Sequence, residues 1–106
     1  MSGESDNKLV VFRNSDVKKI VAFIPRGHKH IRLYIEFDEM KIILQEATVA
    51  AIVRAYVNIK NHPTRRAYEL VSQRLMERKE GYAEYQLIES TRDEEEILLD
   101  MENIID

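Results

Sequence analysis

Cysteine and tryptophan are absent from this 106-residue chain, which also holds only three glycines and two prolines. Without a thiol there can be no disulfide, no thiolate zinc site and no cysteine nucleophile. Three scattered glycines cannot build a phosphate-cradling loop, and Ser15, Ser72 and Ser90 stand in no nucleophile-elbow context. Long apolar runs are missing too. The most apolar stretch, ATVAAIV, is cut by Arg54 far short of the roughly 20 residues that a bilayer span needs. No signal-peptide pattern is present, so the expectation is a soluble, cytoplasmic protein. Neither a helix-turn-helix nor a zinc-finger pattern can be found, which argues against sequence-specific reading of duplex DNA.

What the chain does have is an ordinary apolar fraction, 44%, and many charges, 33%. The first argues against disorder over most of the length, and the size predicts one core. Heavy use of Glu, Lys, Arg and Ile fits a protein from a hot environment. The formal net charge of -3 conceals a separation of sign. From Arg92 onward one basic residue faces seven acidic ones, whereas Lys8 to Lys79 holds 15 basic against 7 acidic residues. A basic body with an acidic end points to an anionic partner for the body.

Taken in order, residues 1–7 are small and polar and read as a disordered lead-in. Lys8–Arg13, KLVVFR, has strand composition, and Asn14, Ser15 and Asp16 have turn chemistry. With IVAFI this predicts a first hairpin ending at Pro25, followed by a PRGHK loop. Ile31, Leu33, Ile35 and Phe37 then alternate with His30, Arg32, Tyr34 and Glu36, a period of two that marks a strand with one apolar face. Asp38 and Glu39 supply a turn. Met40, Ile42 and Leu44 alternate with Lys41, Ile43 and Gln45 on a fourth strand. At Thr48, an N-cap candidate, the period becomes helical, with Val49, Ile52, Val53, Tyr56 and Ile59 on one stripe. Pro63 suits the first turn of a second helix over Thr64–Glu80, ending near Gly81 and burying Ala67, Leu70, Val71 and Leu75. YAEYQLIES fits a strand and a helix equally well. Thr91 with Glu94 has capping-box spacing, and predicts an acidic amphipathic helix over 92–106. Such a short helix is marginal alone, so its stripe of Ile97, Met101 and Ile104 is expected to join two copies in a homodimer. The fold class is therefore α+β: a four-stranded antiparallel meander followed by two or three helices on one face, with residues 8–91 as one domain.

If helices cover the apolar face, alternation puts Phe12, Lys19, Phe23, Arg32, Tyr34 and Lys41 on the other. Rings interleaved with cations on an open sheet suit single-stranded nucleic acid, whose bases offer π-faces and whose backbone is a row of negative charge. Tyr34, beside His30, Arg32 and Glu36, is the foremost candidate. Phe12 and Phe23 have a competing role in a second core layer or a dimer interface, because their strands are apolar on both faces. The loop residues Arg26, His28, Lys29 and His30 are read as phosphate contacts. His28, His30 and His62 do not by themselves amount to a metal site, and His28, His30 and Glu36 lack any pattern that fixes acid/base geometry, so no metal, cofactor or catalysis is expected. The alternative is a small protein-interaction or regulatory module that uses the same face for a protein partner.

Strands passing directly into a helix through KIILQEATVAAIVRAYV resemble the sheet-then-helix unit of the positive-cofactor-four class of single-strand binders. With the further helices and the hot-environment composition, the chain resembles the archaeal ThermoDBP-type single-stranded DNA-binding family. That resemblance implies an antiparallel sheet whose open side holds single-stranded DNA, with Phe23, Arg32, Tyr34 and Lys41 at the corresponding positions.

Overall fold

The structure, a computed structural model, describes residues 8–76 and 84–105. It is α+β, with two antiparallel sheets of three and two strands and two helices. The chain divides into two units, one made of residues up to Glu46 with the last residues from Ile104, the other of Ala47–Asn103. The boundary falls inside the stretch read from sequence as one domain.

The first unit is a three-stranded sheet in the order β1 (Val17–Phe23), β2 (Arg32–Phe37) and β3 (Lys41–Gln45). Lys8–Arg13 is not a strand, which corrects the expected four-stranded meander. Asn14, Ser15 and Asp16 do turn the chain, but as a 3₁₀ turn closed by the Asp16 N–H on the Arg13 carbonyl (2.9 Å) and the Arg13 N–H on the Asp16 carboxylate (2.8 Å). That turn leads straight into β1 at Val17 and lays the preceding segment against the sheet through Phe12. The Phe12 ring stacks on Phe37 with centroids 3.9 Å apart, and Phe37 is nearly inaccessible.

β1 reaches β2 through a turn in which the His28 N–H meets the Pro25 carbonyl (3.0 Å). Gly27 sits at the third position with φ of 82°, a conformation that a side chain disfavours. β2 reaches β3 through the expected Asp38–Glu39 turn, with the Phe37 N–H on the Met40 carbonyl (2.8 Å). β3 then becomes α1 (Glu46–Lys60) with no intervening loop, two residues before the Thr48 cap that the sequence suggests.

In the second unit α1 is followed by β4 (Leu70–Arg74), β5 (Tyr85–Glu89) and α2 (Glu94–Ile105). The expected helix over Thr64–Glu80 is overturned: Pro63 and Thr64 form a turn, and Leu70–Arg74 pairs with β5 in register from Leu70 opposite Glu89 to Arg74 opposite Tyr85. Residues 77–80 and Gly81 lie outside the described residues. Apolar spacing at 67, 70, 71 and 75 fits a helix only while no β partner is at hand. Once Tyr85–Glu89 takes the strand option, the inward-facing backbone groups of Leu70–Arg74 find ladder partners on it, and pairing outweighs propensity.

The stripe expected to bury α1 is also corrected. Ala51 is the buried residue, with Ala55, Asn58 and Ile59 half-buried beside it, while Ile52, Val53 and Tyr56 are exposed. The Arg54 guanidinium donates to the Leu87 carbonyl (2.8 Å), which fixes the helix to its own hairpin by the small-residue side. In α2 the N-cap is Asp93 rather than Thr91, its carboxylate accepting the Glu96 N–H (2.9 Å). Glu94 instead accepts the N–H groups of Arg66 and Ala67, the latter at 3.2 Å. Ile97 is buried within this unit, near Ile59 and Leu70, so it is not free to line a seam between copies; Met101 and Ile104 are about half exposed. Among the described residues no helix is long and apolar enough to cross a membrane.

Candidate nucleic-acid interface

Residues directly opposite each other in an antiparallel pair share a face, so the register assigns every side chain of the first sheet. One face carries three rows across β1, β2 and β3: Phe23, Arg32 and Gln45; Val21, Tyr34 and Ile43; Lys19, Glu36 and Lys41. The other carries Ala22, Leu33 and Leu44, then Ile20, Ile35 and Ile42. A bulge between Val17 and Lys19 restores this phase after the irregular start of β1, and Lys18 within it pairs with Asp38 at 3.0 Å.

Five of the predicted residues, Lys19, Phe23, Arg32, Tyr34 and Lys41, are thus brought together. Phe23 and the two lysines are exposed, and Arg32 and Tyr34 are half-buried with access to solvent. Phe12 is not on this face. Its partner Phe37 belongs by alternation with Leu33 and Ile35, so the Phe12 ring lies on the opposite side. Arg26, His28 and Lys29 lie in the exposed loop that joins the Phe23 and Arg32 ends of the strands. His30 is turned elsewhere: its Nδ1 is 3.7 Å from the Glu46 carboxylate, which also accepts the Ile31 N–H (2.6 Å).

Sequence reasoning weighed Glu36 only as an acid/base partner of His28 and His30 and not as the partner of Tyr34, although its place in the alternation carried that signal. The Tyr34 hydroxyl donates to its carboxylate at 2.5 Å, and the Lys19 ammonium is 4.0 Å away. That hydrogen bond holds the Glu36 carboxyl below its ordinary range, helped by the charges of Lys19 and Lys41. The same bond, with some desolvation and the carboxylate charge, raises the Tyr34 phenol. Glu36 therefore stays ionised and Tyr34 neutral at neutral pH. The ring of Tyr34 is held in one orientation, and the lysine row is partly neutralised.

In the second unit Arg65 pairs with Glu89 and lies 4.5 Å over the Tyr68 ring, Arg74 pairs with Glu84 at 2.6 Å, and Arg92 joins Glu69 at 3.1 Å and Asp100. In the first unit Arg26, Lys29, Arg32 and Lys41 have no ion-pair partner among the described residues. Arg54, Lys60 and Arg66 of the second unit likewise have no ion-pair partner among the described residues, so unpaired cations occur in both units, and four of them lie on the sheet face or in its loop. No group of three potential metal ligands occurs among the described residues.

Comparison of the chain with protein-family models, with curated proteins and with solved structures finds no match. The functional reading accordingly rests on the residues themselves.

Proposed function

We propose that the face bearing Phe23, Arg32, Tyr34 and Lys41 binds single-stranded nucleic acid, DNA in the first instance, and that the protein is non-catalytic. The observation that supports this is the register, which puts two aromatic rings and three cations on one side of a sheet, with Phe23 directly opposite Arg32 and Tyr34 in the next row. Rings one row apart offer successive stacking platforms, and the unpaired cations Arg32 and Lys41 on the face and Arg26 and Lys29 in the loop meet the phosphates between the bases. A duplex hides the base faces and is the poorer ligand. The proposal agrees with what the resemblance to archaeal single-stranded DNA-binding proteins implies, including a heat-adapted, intracellular setting.

One observation favours a second reading. Val21 and Ile43 flank Tyr34 and are exposed, and Glu36 adds an acid, a mixture that suits a protein partner as well. Fluorescence anisotropy with labelled single-stranded and duplex oligonucleotides at two salt concentrations separates the two. Salt-sensitive preference for single strands, lost in Tyr34→Ala and Arg32→Ala with the circular dichroism spectrum unchanged, supports nucleic-acid binding. Absence of that preference removes the proposal and leaves the protein-partner reading.

A further inference from the structure

Small residues on one side of α1 leave a hollow between the helix and its hairpin. Ala47, Ala50, Ala51 and Arg54 recur at helical spacing and so share a face. The alanines do not reach beyond Cβ, and where this face meets β4 and β5 the space left is a cavity of about 460 Å³, within the range of small-molecule sites. All of it lies in the second unit. The register of the hairpin supplies the opposite wall. Ser72 is opposite Leu87 and Arg74 is opposite Tyr85, so Ser72, Leu87 and Tyr85 project from the same face of the two strands, and all three line the cavity.

The charge of this lining has one sign. Among the described residues that form it, Arg54 is a cation and none is an acid. One N–H of its guanidinium donates to the Leu87 carbonyl at 2.8 Å, which holds the group in place, and no ion-pair partner neutralises it among the described residues. A guanidinium has further donors in the same rigid fork, and these remain for a ligand. The neighbouring cation, Arg74, is committed to Glu84 at 2.6 Å. Ser72 adds an exposed hydroxyl, and the Tyr85 ring, 60% exposed, adds a flat apolar surface.

We propose that this cavity binds a small phosphate monoester carrying a flat ring, of the nucleoside monophosphate class, with the phosphate on Arg54 and Ser72 and the ring against Tyr85. The guanidinium fork matches two phosphate oxygens, and a phosphate monoester keeps a third for the Ser72 hydroxyl, where a carboxylate has none to spare. Free phosphate would leave the Tyr85 wall bare, and an uncharged aromatic would leave the guanidinium unanswered. The ring completes the fit by stacking. This inference does not depend on what the sheet face of the first unit binds.

The test is a titration of the isotope-labelled full chain with adenosine monophosphate, followed through amide chemical shifts, with adenosine and inorganic phosphate as the two halves of the probe. Saturable shifts are expected at Arg54, Ser72, Tyr85 and Leu87, and each half alone should bind at least about tenfold more weakly. Arg54→Lys, which keeps the charge and loses the fork, should weaken the monophosphate by a similar factor. Because Arg54 also ties the helix to Leu87, Ala50→Leu is the independent variant: Ala50 is exposed, and the larger side chain fills the hollow. It should abolish the shifts at Ser72 and Tyr85 with the circular dichroism spectrum unchanged, while Tyr34→Ala should leave them as they are. Absence of saturable shifts overturns the proposal, as do shifts confined to the sheet face of the first unit. Unchanged affinity in both Arg54→Lys and Ala50→Leu overturns it too, and so does inorganic phosphate that binds as tightly as the monophosphate.

Discussion

Phe12 and Phe23 both come from short apolar stretches near the N-terminus, yet the structure gives them opposite assignments, and alanine substitution tells them apart. Phe12 is 41% exposed and Phe23 37%, so in each case about three-fifths of the ring is packed. Full removal of a buried phenylalanine costs about 3–5 kcal/mol, and scaling by burial gives about 2 kcal/mol for either substitution. Stability alone therefore cannot distinguish them, and two other measurements must. Phe12 stacks on Phe37, so a double-mutant cycle with Phe37→Ala in urea denaturation should show a coupling of about 0.5–1.5 kcal/mol for Phe12 and close to none for Phe23. In single-strand binding the order reverses. Loss of one stacked base at Phe23 is worth about 1–3 kcal/mol, or roughly 5- to 150-fold in Kd, whereas Phe12→Ala should leave Kd within about twofold. Equal losses of affinity in the two variants would refute the assignment of faces, and coupling of Phe23 to Phe37 would refute the register behind it.

Glu36→Gln should tighten single-strand binding several-fold at low salt, because it releases Lys19 and Lys41 from a carboxylate; weaker binding would show that Glu36 itself contacts the ligand. If Arg26, Lys29, Arg32 and Lys41 each meet a phosphate, a plot of log K against log salt should have a slope of about -3 for a single strand, and Lys41→Ala should reduce it by about 0.7. Ala51→Leu, which crowds the side of α1 set against its own hairpin, should cost about 1–3 kcal/mol, measured as a fall in the urea midpoint. Glu94 and Glu36 both have carboxyls held below their ordinary value, Glu94 chiefly by the N–H groups of Arg66 and Ala67. Their contribution is complete above the unfolded value of about 4.3 and is lost as pH falls through the lower folded value. The urea midpoint should thus stay level from about pH 7 to about pH 5 and drop below that, and Glu94→Gln should lower the midpoint at neutral pH and make the acid drop shallower.

Local pattern was sufficient where the chain's own alternation decided the outcome. The period of two from His30 to Phe37, the Asp38–Glu39 turn and the run from β3 into α1 are all properties of neighbouring residues, and the shared face of Arg32 and Tyr34 follows from that same period, whereas Lys19 and Phe23 join it through the β1–β2 register. The α+β class and the acidic helix at the end were legible for the same reason. Partner choice was not. Whether Lys8–Arg13 finds a strand to pair with, and whether Leu70–Arg74 becomes helix or ladder, depends on which segment reaches it first at what loop-closure cost, and composition does not encode that distance. In the same way 3.6-residue spacing located the apolar stripe of α1 but could not say which side of the helix meets its own hairpin. Ala51 and Ala55 won that side because small residues let the hairpin approach, and Arg54 fixed it by reaching Leu87. Sequence alone determined the periodicities, and with them the side chains that share a face; the tertiary structure decided which faces are occupied, since occupancy is settled by contacts between residues far apart in the chain.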